Sequence, residues 1–232
     1  MAQPGEHVHV NLPESLMLLA TDDESGRISS QMRQADYGAA GAVLLELLFS
    51  GRIATTDGKI ELLSNAATGD PVLDNAVFLI GESEKRHDAK HWVRKIADAG
   101  VKDQLLDQLT GRDILRHVPQ RLLWVIPDDR YLVENPQPEE DIRATLRAVV
   151  LEGRDPDARS AALISLLKAT DLTGAVFSKE ERKSAKSRID AIANGDLMSD
   201  AVSRVIKDME AALIAVFIAT TVTTSVAATR SN

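Results

Sequence analysis

The residues whose types and spacing could do chemistry fall into three groups. His87 and His91 are four apart, the spacing that sets two imidazoles on one helical face as a zinc site would, with Asp88 beside them. No glutamate follows His87, the chain has no cysteine, and the surrounding EKRHDAKH has the composition of a solvated face, so no metal is expected there. His7 and His9 alternate near the start and are a weaker pair still. Carboxylates cluster at Asp22-Asp23-Glu24, Asp128-Asp129 and Glu139-Glu140-Asp141, each at a turn or a helix start, where acids cap and complement the dipole. A catalytic pair would need one carboxyl pushed into an apolar pocket, and nothing in the sequence points to that. No nucleophile elbow, P-loop or dinucleotide fingerprint occurs. Gly38 and Gly41 share only their glycines with a phosphate loop and read as small residues for close helix packing. The expectation is a protein that is not an enzyme and carries no cofactor.

The third group is basic. Lys102, Arg112, Arg116, His117 and Arg121 follow one another just before a segment with hairpin signals. A helix, a basic connector and a hairpin can be read as a winged helix, with DNA as ligand. Against that stand the net charge of −8, from 27 basic and 35 acidic residues, and the lack of a basic recognition helix, so nucleic acid is not expected as a partner.

These groups are carried by a chain that reads as mainly α. Hydrophobic residues are 44% and aromatics only 3%, which calls for an aliphatic, alanine-rich core, and 232 residues are enough to enclose one. Helical segments are expected at 12–20, 38–50, 72–80, 85–98, around 105–115, and at 139–151, 157–170, 179–193 and from 199 on, about nine in all. Residues 29–35 read as irregular. Asp70-Pro71 is a helix start, with Asp70 as cap and Pro71 in the first turn. Two short surface hairpins are expected. One has Asp57-Gly58 as a type I′ turn between 53–55 and 60–62; the other pairs 121–126 with 130–133 around Pro127-Asp128-Asp129.

The run Ala211 to Thr229 has nineteen residues without a charge. A membrane span needs about twenty predominantly apolar residues, and this run reaches that length only by counting its threonines and serine. It is therefore expected to be the buried helix around which the others pack. No linker divides the chain: residues 1–11 are expected to be a flexible start and 12–232 a single helical domain. The start has neither a basic region nor an apolar stretch of the kind a signal peptide carries. With no cysteine, a reducing compartment is allowed.

Several segments together resemble the Golgi phosphoprotein 3 family, or GPP34 domain, and the chain is similar to a bacterial-type member. They are LPESLMLLA from Leu12, GAVLLELLFSGRI from Gly41, TGDPVLDNA from Thr68, LTGRDIL from Leu109 and ALISLLKATDL from Ala162, in matching order over most of the chain. The resemblance implies a single mainly helical domain around a buried apolar helix, no catalytic activity, and peripheral attachment to membranes through an anionic phospholipid headgroup. In the eukaryotic members that headgroup is phosphatidylinositol 4-phosphate. Carried over by position, the family's headgroup tryptophan falls on Gln31, its first arginine on Ala40, and its later arginine pair on Ala99 and Lys102. Lys102, Arg33 and Gln31 are therefore the expected headgroup site. The family's self-association hairpin falls on Leu122 to Val133, which makes Leu122, Trp124, Ile126, Tyr131 and Val133 the expected contacts of a homo-oligomer. The implied location is the cytoplasm, peripheral on the inner face of the membrane. An alternative is an interaction or scaffold protein that keeps the fold and hairpin and has lost lipid recognition.

Overall fold

Helix α1 (Leu12–Ala20) begins at a capping box: Asn11 accepts from the Glu14 backbone N–H at 3.0 Å, and the Glu14 carboxylate accepts from the Asn11 N–H at 3.0 Å. Every residue of this helix is buried. Upstream, Val8 and Val10 pack on the core, and the His9 carbonyl accepts from Arg112 at 2.6 Å. The computed structural model describes residues 8–28, 32–122 and 126–228, with side chains described except at 32–33, 121–122, 126–127 and 219–228.

Helix α2 (Met32–Phe49) starts six residues earlier than its apolar stretch predicts, so residues 32–35, expected to be irregular, are helical. A hairpin follows, β1 (Ile53–Thr56) with β2 (Lys59–Leu62), turning at Asp57 and Gly58 with φ of 52° and 71° as a type I′ turn requires. Helix α3 (Pro71–Gly81) is capped by Asp70, which accepts from Val72 and Leu73 at 2.8 and 3.0 Å. Helix α4 (Ala89–Asp98) leads into α5 (Val101–Gly111).

The second hairpin is built differently from its sequence expectation. Strand β3 (Leu115–Val118) pairs antiparallel with β6 (Arg130–Val133), and inside them β4 (Arg121–Leu122) pairs with β5 (Ile126–Pro127). Residues 130–133 thus return against 115–118 rather than 121–126, and Pro127 to Asp129 is not the turn. Pro127 pairs with Arg121 without needing a donor, since the next bond of the ladder runs from the Asp128 N–H to the Gln120 carbonyl at 2.8 Å. Helices α6 (Gln137–Val150) and α7 (Ala158–Ala169) follow, then a 3-10 turn (Thr173–Ala175). The expected helix over 179–193 breaks at Ala185 into α8 (Lys179–Ser184) and α9 (Lys186–Ala193), and α10 (Asp200–Ala228) closes the chain. The domain is mainly α, with ten α-helices among the described residues.

Among the described side chains, the long helix around which the others pack is α2 rather than the C-terminal run. Ala39, Ala40, Ala42, Val43, Leu44, Leu45 and Leu47 are all within 1% of full burial, and α2 packs against α1, α3, α4, α5, α7, α10 and β1. Its glycines admit these neighbours: a Cβ at Gly38 would lie 2.8 Å from a Thr170 methyl on α7, and one at Gly41 would lie 3.2 Å from Leu213 on α10. Helix α10 is one-sided over its described side chains, burying Ile206, Met209, Leu213 and Val216 while Ile214 and Ile218 are 45% and 59% exposed. The reason is compositional. Absence of charge removes the demand for water, but Ala and Thr do not demand burial on every face. Among the described residues, no helix is long and apolar enough to cross a membrane.

Candidate functional site

Of the expected headgroup residues, Lys102 stands at the junction of α4, α5 and the start of α2. Helix α4 closes on Ala99 as its C-cap, and Gly100 takes a left-handed conformation, φ 79°, that glycine adopts readily, to reverse the chain into α5. Among the described residues no side chain caps α5, and its first-turn N–H groups and the positive end of its dipole meet at this corner. Lys102 stands in that first turn with its side chain 19% exposed. Its ammonium lies 3.4 Å from Asp103 and 3.7 Å from Asp36 on α2. Two carboxylates therefore hold the one cation retained at the family positions, and an incoming anion must compete with both.

The other expected residues separate. Ala40 is fully buried inside α2 and Ala99 is exposed at the α4 end. Gln31 lies outside the described residues, as does the side chain of Arg33, whose backbone is in the first turn of α2. Asp103 was readable as a neighbour in sequence. Asp36, brought in from another helix, left no sequence signal.

Nearby, Tyr131 on β6 stacks on His117 at 4.9 Å between ring centres. Burial, and then the charges of Asp103, Asp129 and Asp107, push its hydroxyl up to about 12. Of the hairpin residues expected to self-associate, Tyr131 and Val133 are half-buried and pack against the core, Leu122 and Ile126 face each other in the β4–β5 register, and Trp124 lies outside the described residues.

The basic group before the hairpin is engaged internally. Arg112 donates to the buried Glu14 carboxylate at 2.5 Å, and Arg116 pairs with Glu134 across β3 and β6. That leaves little free charge for a nucleic-acid backbone on the described part of this surface. His87 and His91 do not share a helical face. Asp88 caps α4, accepting from the His91 N–H at 2.8 Å, so His87 precedes the helix. The two rings stack instead, centres 3.8 Å apart, and burial followed by the charges of His87 and Lys95 holds His91 below the usual imidazole range. No group of three or more potential ligands for a metal occurs among the described residues.

Sequence reasoning missed a buried ion pair on the central helix. Arg159 at the start of α7 donates to both oxygens of Glu46, at 2.7 and 2.6 Å, and Glu46 also accepts from the Leu12 N–H at 3.0 Å. It ties α1, α2 and α7 together and borders a cavity of about 340 Å³ lined by Val10, Leu12, Ile142, Leu146, Arg159 and Leu163, among others. The family model described as Golgi phosphoprotein 3 (GPP34) matches residues 12–209.

Proposed function

The chain belongs to the Golgi phosphoprotein 3 family, and from that premise we propose that it is a non-catalytic peripheral membrane protein that binds an anionic phospholipid headgroup at the α4–α5 corner. The observation that carries this reading is Lys102 in the first turn of a helix that has no side-chain cap among the described residues. A phosphate reaching the corner meets an ammonium and outward-pointing backbone N–H groups together. Lysine acts there as a point charge without the planar fork of arginine. Because Asp36 and Asp103 already contact it, the headgroup is held loosely, and binding depends on the surface charge of the membrane as much as on one pocket. Attachment on the cytoplasmic face, where anionic lipids are exposed, follows from the same chemistry. Co-sedimentation with vesicles of phosphatidylcholine, with and without phosphatidylglycerol, tests it. Wild type is expected to favour the anionic vesicles, and Lys102→Glu to lose that preference.

Self-association through the second hairpin is a second reading. It is supported by the β4–β5 register, which sets Leu122 opposite Ile126 in a pair separate from the β3–β6 ladder. Light scattering is expected to show an oligomer that Trp124→Asp reduces to monomer while vesicle binding is unchanged. A monomeric wild-type chain removes this reading.

A further inference from the structure

A second concentration of positive charge lies at α7, α8 and α9, in residues that neither the headgroup site nor the hairpin uses. A cavity of about 340 Å³ there is lined by Lys168, Lys179, Arg182, Lys183 and Lys186, with Asp190 as the single carboxylate among its lining residues. Five of the chain's 27 basic residues thus face one concavity in a protein whose net charge is −8. Asp190 is shared, accepting from Lys168 at 3.2 Å and from Lys186 at 2.5 Å, and Lys168 also reaches Glu210 at 3.6 Å. Two carboxylates do not balance five cations, and like charges held this close call for an anion.

The arginine gives the site its chemistry. Its Nε is buried and has no hydrogen-bond partner among the described residues, a donor whose desolvation nothing offsets. The guanidinium lies against Gly174 in the 3-10 turn: a Cβ there would stand 3.2 Å from Nη1 and 3.5 Å from Cζ. Glycine at 174 therefore lets the guanidinium come close to the turn. Lys179 and Lys183, one helical turn apart on α8, add two ammonium groups on one side. A planar fork with an unused donor, flanked by point charges, matches the oxygens of a phosphate group.

We propose that the α7–α8–α9 cavity binds a phosphate monoester, with the Arg182 guanidinium and the ammonium groups of Lys179, Lys183 and Lys186 supplying charge-assisted donors to its oxygens. The site is separate from Lys102 and does not rest on the headgroup reading. It nonetheless lies toward the same end of the central helix: Gly38 of α2 meets Thr170 of α7, three residues before cavity-lining Thr173, and Asp36 of α2 meets Lys102. A phosphate carried on a lipid and a phosphate carried on a soluble metabolite offer the same oxygens, and two probes separate them.

The test is calorimetric titration of the full chain with glycerol 3-phosphate, beside co-sedimentation with phosphatidylcholine vesicles with and without phosphatidic acid. Saturable binding of glycerol 3-phosphate, weakened at least about tenfold by Arg182→Gln and by the exposed Lys183→Gln and unchanged by Lys102→Glu, assigns a soluble ester. Preference for phosphatidic acid lost in both cavity variants, without heat from glycerol 3-phosphate, assigns a lipid-borne phosphate. Gly174→Ala is expected to weaken either ligand by displacing the fork. Circular dichroism separates a lost site from a lost fold, and Lys183→Gln stays informative should Arg182→Gln unfold. Failure of both probes to bind wild type, or binding indifferent to both cavity substitutions, overturns the proposal.

Discussion

Glu139, in the first turn of α6, is 4% exposed, and its burial pushes it up to about 7 from an ordinary value of 4.5, against the opposing pull of Arg143 and with Asp23 adding to the rise. Arg143 donates to it through Nε at 2.9 Å, so the carboxyl stays hydrogen-bonded while it is held off its charge. The native state then binds a proton that the unfolded chain has released, and the stability this contributes is complete below about 4.5 and lost as pH rises through about 7. A rise of that size contributes on the order of 3 kcal/mol in full, of which about 1 kcal/mol falls between pH 6 and pH 8. Glu139→Gln mimics the protonated form at every pH. Urea unfolding of both proteins at pH 6 and pH 8 is expected to show the variant gaining on wild type by about 1 kcal/mol across that interval. A stability difference that is the same at both pH values, or that moves the other way, refutes the reasoning.

Arg159→Leu leaves the buried Glu46 carboxylate without its cation. Because Arg159 is itself nearly half exposed, the cost is set below that of a fully buried pair, at about 2 kcal/mol, and thermal unfolding is expected to drop by about 4–8 °C. A fall of less than about 1 °C contradicts the role given to this pair. Gly26 has φ of 65°, and a Cβ there would lie 2.9 Å from Leu132 and 3.1 Å from the Tyr131 backbone, whose N–H donates to the Gly26 carbonyl at 2.7 Å. Gly26→Ala is expected to cost about 2 kcal/mol in urea unfolding and to speed amide exchange at Tyr131, and unchanged exchange there would show that the turn does not seat β6.

Most elements were legible because their signals are local. Asn11, Asp70 and Ser178 lie within three residues of the N–H groups they cap, and Asp57-Gly58 fixes a turn by its own backbone preferences. What was not legible depends on partners far along the chain. Glu46 interrupts the apolar face of α2 and reads as a solvent-facing charge until Arg159 arrives 113 positions later. The second hairpin misled because Leu122 to Ile126 and Tyr131 to Val133 satisfy strand preferences equally well in either register, and pairing with Leu115–Val118 is decided by packing on α5. An uncharged run identified α10 as a helix without telling how many of its faces would be covered. At the candidate site, position in sequence located Lys102 but could not show that Asp36, on another helix, stands against it.

The central claim is that an anionic headgroup is drawn to the α4–α5 corner. Its most direct measurement is the vesicle-bound fraction of wild type and Lys102→Glu on phosphatidylcholine vesicles with and without phosphatidylglycerol, at low salt, where electrostatic attraction is least screened. The account predicts that wild type partitions onto the anionic vesicles in excess of the neutral ones and that Lys102→Glu abolishes the excess. Equal partitioning of wild type onto both vesicles, or an excess that survives Lys102→Glu, contradicts it.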